Sequence, residues 1–135
     1  MIVLDCSAAV SIARETLEGK ALHALILGGE RVISSELFPI EAASAFGKYV
    51  RANTLDESTA KAYLVATVAL VDELIPIQEN YIEAFHESLR LKHSVYAMLY
   101  FTLARRNAAT LVTLDTKLME LCEQQGVDCI QEIDF

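Results

Sequence analysis

At 135 residues, 53% hydrophobic and 22% charged, the chain has enough apolar material for the core of one compact domain, and its 5 Gly and 2 Pro leave little room for long flexible linkers. A formal net charge of −8 argues against a protein that simply coats nucleic acid. The longest apolar run, residues 64–71, contains Thr67 and falls far short of the ~20 residues of a membrane span. Asp5 comes early with no basic segment before a greasy stretch, so no signal peptide is expected. Cys6, Cys122 and Cys129 match no metal-ligand spacing and read as free thiols of a cytoplasmic protein. The charge is uneven: residues 90–118 carry Arg90, Lys92, Arg105, Arg106 and Lys117 against Asp115 alone.

In chain order, Ile2-Val3-Leu4 is a short β-type run that ends at Asp5, and Ser7 is a fair N-cap for a helix to about residue 16. A second helix covers roughly 18–27, before Gly28-Gly29. Arg31-Val32-Ile33 reads as a second strand, and Ser34-Ser35 open a helix to about residue 52 with Pro39 in its first turn. Thr54 and Glu57 have capping-box spacing for a helix to about residue 72. Leu74-Ile75-Pro76-Ile77 is a third strand, at an edge or ending at the proline. Helices follow over about 79–91 and 94–107, then a strand over Thr110–Thr113 and a helix to about Gln125, where Gly126 supplies a left-handed cap. Val127–Ile130 reads as a closing strand. Strands separated by helices predict an α/β three-layer sandwich, with a central, mainly parallel sheet of about four to five strands.

In such a sheet, functional groups gather beyond the carboxyl ends of the strands. Asp5 and Asp115 each follow an apolar strand there. Either can be a helix N-cap or a ligand for a hard cation, because an unpaired buried charge is costly. Glu41 is an acid among Ile40, Ala42, Ala43, Ala45 and Phe46. Glu36 competes with it but looks more like an acid answering the helix dipole. Tyr96 and Tyr100, at helical spacing, read as core. His93 lies one turn before position 97 and reads as a surface or capping residue unless it faces the site, while Asp128 and Asp134 read as solvent charges.

The opening Met1-Ile-Val-Leu-Asp-Cys-Ser-Ala-Ala resembles that of PIN domains of the VapC toxin type. Glu41-Ala-Ala-Ser-Ala-Phe is similar to that family's helix glutamate, and Thr113-Leu114-Asp115 to its Thr-x-Asp after the fourth strand. Arg105, Arg106, Ala109–Val112 and Lys117-Leu118 fit the flanks, so the resemblance runs over essentially the whole chain as a single PIN-like domain. One position departs: where the family reads Tyr-Asp-x-x-Tyr, this chain has Tyr96-Ala97-Met98-Leu99-Tyr100.

The resemblance implies a metal-dependent endoribonuclease toxin that cleaves single-stranded regions of RNA with Mg²⁺ or Mn²⁺. Asp5, Glu41 and Asp115 would be its catalytic and metal-binding carboxylates, and position 97, here Ala97, the place of a fourth. Ser7 and Thr113 would hydrogen-bond the neighbouring acids, and Arg105 or Arg106 would contact phosphates. It also implies a homodimer, with no membrane role, and an antitoxin of VapB type whose chain covers the acidic site. Ala97 makes this chain inactive or impaired, either by natural degeneration or by deliberate replacement of an aspartate. Retention of the other three acids favours replacement. A different class of reading is a catalytically silent PIN domain that binds protein or RNA. A receiver-like phosphorylation domain would need paired acids where Leu4-Asp5-Cys6 has one.

Overall fold

Four short parallel strands form the centre of the molecule, in a computed structural model that describes residues 1–26 and 28–130. They are β1 (Ile2–Leu4), β2 (Val32–Ser35), β3 (Glu73–Ile75) and β4 (Thr110–Val112), hydrogen-bonded in the order β3-β2-β1-β4. Val3 aligns with Ile33 on one side and Leu111 on the other, which puts the first strand of the chain in the middle of the sheet. All three residues of β1 are buried, as a parallel strand covered on both faces requires. Among the described residues β3 pairs with β2 alone; it exposes Glu73 and is followed by Pro76, as an edge strand can tolerate.

Seven helices among the described residues complete the three-layer α/β sandwich: α1 (Cys6–Ala13), α2 (Leu17–Ile26), α3 (Phe38–Arg51), α4 (Glu57–Ala69), α5 (Tyr81–Leu91), α6 (Val95–Asn107) and α7 (Thr116–Gln125). Helices α1 to α4 pack on one another, and α6 lies against β1, β2 and β4 with α5 beside it. The main core joins the strands to Phe38, Met98, Phe101, Leu103 and Leu118; a smaller cluster forms around Val10, Phe46 and Ala60. Asn80, buried ahead of α5, donates to the Leu99 carbonyl and to Thr102 Oγ1, fixing α5 on α6. No helix among the described residues is long and apolar enough to cross a membrane.

Several boundaries differ from the sequence reading, each for a local reason. Ser34 and Ser35 belong to β2 rather than opening α3: Ser34 Oγ donates to the Leu4 carbonyl on the neighbouring strand, and Ser35 Oγ accepts from Leu37 N–H. Asp56, not Thr54, caps α4, accepting from Thr59 N–H at 2.7 Å. Asp5, not Ser7, caps α1, which ends at Ala13. The expected closing strand reduces to a single bridge between Leu111 and Cys129. Leu27, at the end expected for the second helix, and Asp134 lie outside the described residues.

Helix α2 crosses α1 very closely at Gly19, where a Cβ would sit 2.0 Å from the Ser11 carbonyl oxygen. Both sides of that clash are helical backbone. Gly19→Ala is therefore expected to lower stability by about 2 kcal/mol or more, although alanine is the better helix former. Urea unfolding of the two forms checks this, and an unchanged or raised midpoint contradicts it.

Candidate functional site

The carboxyl ends of β1, β2 and β4 open on a cleft of about 230 Å³ whose lining includes Asp5, Glu41, Ala97 and Asp115. Four separate stretches of chain supply these positions: the end of β1, the first turn of α3, the first turn of α6 and the loop after β4. The parallel strands β1, β2 and β4 deliver the segments that follow them to the same edge, and the packing of α6 against the sheet and α5 brings its first turn, with Ala97, to that edge as well.

Asp5 is the most enclosed of the acids, with 6% of its surface exposed. Its Oδ1 accepts from Ser7 Oγ at 2.7 Å and from Ala8 N–H at 3.1 Å, and its Oδ2 accepts from the Thr113 hydroxyl. A hydroxyl has a single proton. With both protons given to Asp5, the two oxygens are left as acceptors. Ser7 Oγ takes the Leu114 N–H at 3.0 Å, and Thr113 Oγ1 takes the Asp115 N–H at 3.0 Å. The loop after β4 is thereby laced to the start of α1. Burial pushes the Asp5 carboxyl from its ordinary 3.8 up to about 6; the donors from Thr113, Ala8 and Ser7 oppose that shift, and the charge of Glu41 adds to it.

Glu41 accepts a short hydrogen bond from the phenol of Tyr100, which is buried and held far above its ordinary pKa by desolvation and by Glu41 itself. Tyr100 thus remains a donor at any working pH. Cys6, also on the cleft, is pushed up to about 12 by burial and then by Glu41 and Asp5, so it is a thiol and not a nucleophilic thiolate. Asp115 caps α7, with Oδ1 accepting from Leu118 N–H at 3.1 Å and Oδ2 paired with His93 Nε2 at 2.9 Å. The N-cap reading of the strand-end aspartates therefore holds. Each caps a helix and each faces the cleft.

Carboxylate oxygens are the right donors for a hard divalent cation, and three of them border one cleft. Their number is what falls short. Among the described residues no three acidic, imidazole or thiol groups already converge as a ready cation site. Ala97 lines the same cleft with a methyl group, which offers a cation no donor.

The other residues singled out in the sequence stand in different surroundings. Arg105 and Arg106 do not reach the cleft: they stand about 12 Å along α6 from Ala97 at 1.5 Å per residue. Arg105 pairs there with Glu83 at 2.6 Å and Glu87 at 3.4 Å, and Arg106 donates to the Glu79 carbonyl. Glu36 is outside the cleft too, accepting from Ile77 N–H at 2.8 Å. Tyr96 is not core; it is 56% exposed and lines the cleft. Ser94, also on the cleft, caps α6, and sequence spacing held no hint of its place at the site. His93 faces the site through Asp115, a position signalled only by its lying one turn ahead of Ala97.

No protein-family model matches the sequence, and no curated protein matches it. The structure is similar to a solved one, the crystal structure of PAE2754 from Pyrobaculum aerophilum, with a TM-score of 0.72 and 22% identity over 88% of this chain and 84% of that one. At that identity the likeness extends to the fold.

The raised Asp5 pKa has a direct consequence for stability. Between 3.8 and about 6 the folded state binds the proton that the unfolded state has lost, so raising the pH through this window costs stability, by about 3 kcal/mol in total. Stability from this group is complete below the window and lost above it. In metal-free buffer containing a chelator, Asp5→Asn is expected to remove that decline, becoming the more stable form above pH 6. Parallel pH profiles for the two proteins contradict the assignment.

Proposed function

We propose that the chain is a PIN-like endoribonuclease of the VapC toxin type, impaired at position 97. The observation that carries the reading is that Asp5, Glu41, Asp115 and Ala97 line one cleft at the carboxyl edge of the sheet. Asp5, Glu41 and Asp115 would hold Mg²⁺ or Mn²⁺. When bound, such an ion neutralises phosphate charge and makes a water more acidic at neutral pH.

The protein's own groups do the positioning. Ser7 and Thr113 fix both oxygens of Asp5 and, through Leu114 and Asp115 N–H, the loop that carries the third acid. Tyr100 steadies Glu41 by donating to one of its oxygens, leaving the other without that bond. His93 orients Asp115. Mutual repulsion among the acids is relieved when one of them is missing, so Ala97 is expected to cost activity rather than fold. The substrate proposed is single-stranded RNA, cleaved by phosphodiester hydrolysis.

The same reading brings a cytoplasmic toxin–antitoxin pair, with a VapB-type antitoxin over the acidic cleft and a homodimer. Exposed Ile82, Phe85 and Leu89, at one-turn spacing on α5, support contact with another chain. Ala97 also favours a second reading, a silent PIN-like module that binds without cleaving.

Ala97→Asp decides between them. With Mn²⁺, the aspartate form is expected to cleave single-stranded RNA at least a hundredfold faster than the Ala97 chain, since the added carboxylate would help hold the cation that neutralises the phosphate. Adding Asp5→Ala abolishes the gain. An Ala97→Asp protein that is folded and binds RNA without cutting it contradicts the nuclease reading and supports the silent one.

A further inference from the structure

We propose that Tyr96 is a stacking platform for a nucleobase at the mouth of the acidic cleft, an inference that rests on the nuclease reading and adds to it how the substrate is held. Tyr96 and Tyr100 are one turn apart on α6 yet have opposite fates. Tyr100 is 3% exposed, while Tyr96 is 56% exposed and still lines the cleft. Among the described residues no hydrogen bond or ring contact engages Tyr96. Its ring does not pack the core, and among the described residues its hydroxyl has no partner.

The surroundings of that ring favour a polyanion that carries aromatic groups. Lys117 Nζ donates to the Lys92 carbonyl at 2.7 Å, which pins an ammonium on the turn between α5 and α6, just ahead of Ser94 and Tyr96. Lys92 is itself exposed, with a left-handed backbone at φ 55° that ends α5. The imidazole of His93, between them and Ser94, is turned to Asp115 at the cleft. The turn that leads to the cleft at Ser94 and Tyr96 thus carries two positive charges. Single strands are held by this combination, phosphates on the cations and bases on an aromatic face. A duplex keeps its bases stacked inside and cannot offer one to the ring. The class of ligand is therefore unpaired nucleic acid, with little discrimination among bases, because every base has a π-face.

The chain contains no Trp, so Tyr96→Trp installs a single indole fluorophore at the proposed platform. The test uses labelled single-stranded oligouridylate, read by anisotropy, on the unsubstituted chain and on the Phe, Trp and Ala variants at 96. Thermal unfolding of each checks that a change at an exposed position has left the fold intact. The expected result is quenching of the introduced indole by the oligonucleotide, unchanged affinity for Tyr96→Phe, and about tenfold weaker binding for Tyr96→Ala. A matching RNA duplex should quench far less. Unchanged affinity for Tyr96→Ala together with an unquenched indole in Tyr96→Trp overturns the platform and leaves the nuclease reading standing. If no form binds RNA, Ala97→Asp included, that reading fails and the platform fails with it. Quenching by protein partners but not by RNA also overturns the proposal.

Discussion

A carboxylate buried at the end of the central strand is tolerable only because donors from the first turn of α1 and from the distant loop after β4 converge on it. Asp5 holds Ser7 and Ala8 on one side and Thr113 on the other, across more than a hundred residues of sequence. The bonds to Leu114 and Asp115 N–H then pass the constraint on to the next acid. Removing these donors would leave an unpaired buried charge, whose cost is several kcal/mol. The geometry of the cleft and the stability of the β1–β4 edge thus depend on the same few hydrogen bonds.

The same kind of internal bonding extends to the other acids of the cleft. Every acid on it has taken an internal partner: Asp5 its three donors, Glu41 the Tyr100 phenol, and Asp115 the N-terminus of α7 and His93. A cation would have to compete with these bonds using two or three carboxylates that do not yet converge. A fourth carboxylate, from the first turn of α6, would raise the local negative charge and tilt that competition. Position 97 sits where it can do so, with its N–H already held by the Ser94 cap.

Much of this was legible in the sequence because it depends on local chemistry. Ser94 and Gly126 cap α6 and α7 as their residue types suggest, and the edge placement of β3 follows from Pro76. Asp5, Glu41 and Asp115 stood out as acids in apolar settings or at strand ends. What stayed hidden depends on tertiary contact. The hydroxyls of Ser34 and Ser35 look like helix openers until a neighbouring strand offers the Leu4 carbonyl. Arg105 and Arg106 look free for phosphate until α5 brings Glu83 and Glu87 alongside. Tyr96 and Tyr100 share a helical spacing and both line the cleft, and only the packing of α6 shows that one is buried and the other exposed.

The central claim is that the cleft is a cation site short of one donor, and Mn²⁺ affinity tests it without requiring any RNA. Titration of free Mn²⁺ by electron paramagnetic resonance, on the Ala97 chain and on Ala97→Asp, compares the two directly. The account predicts binding at least tenfold tighter in the aspartate form, a gain lost when Asp5→Asn is added. Equal affinity in the two forms, or a gain that survives Asp5→Asn, would contradict it.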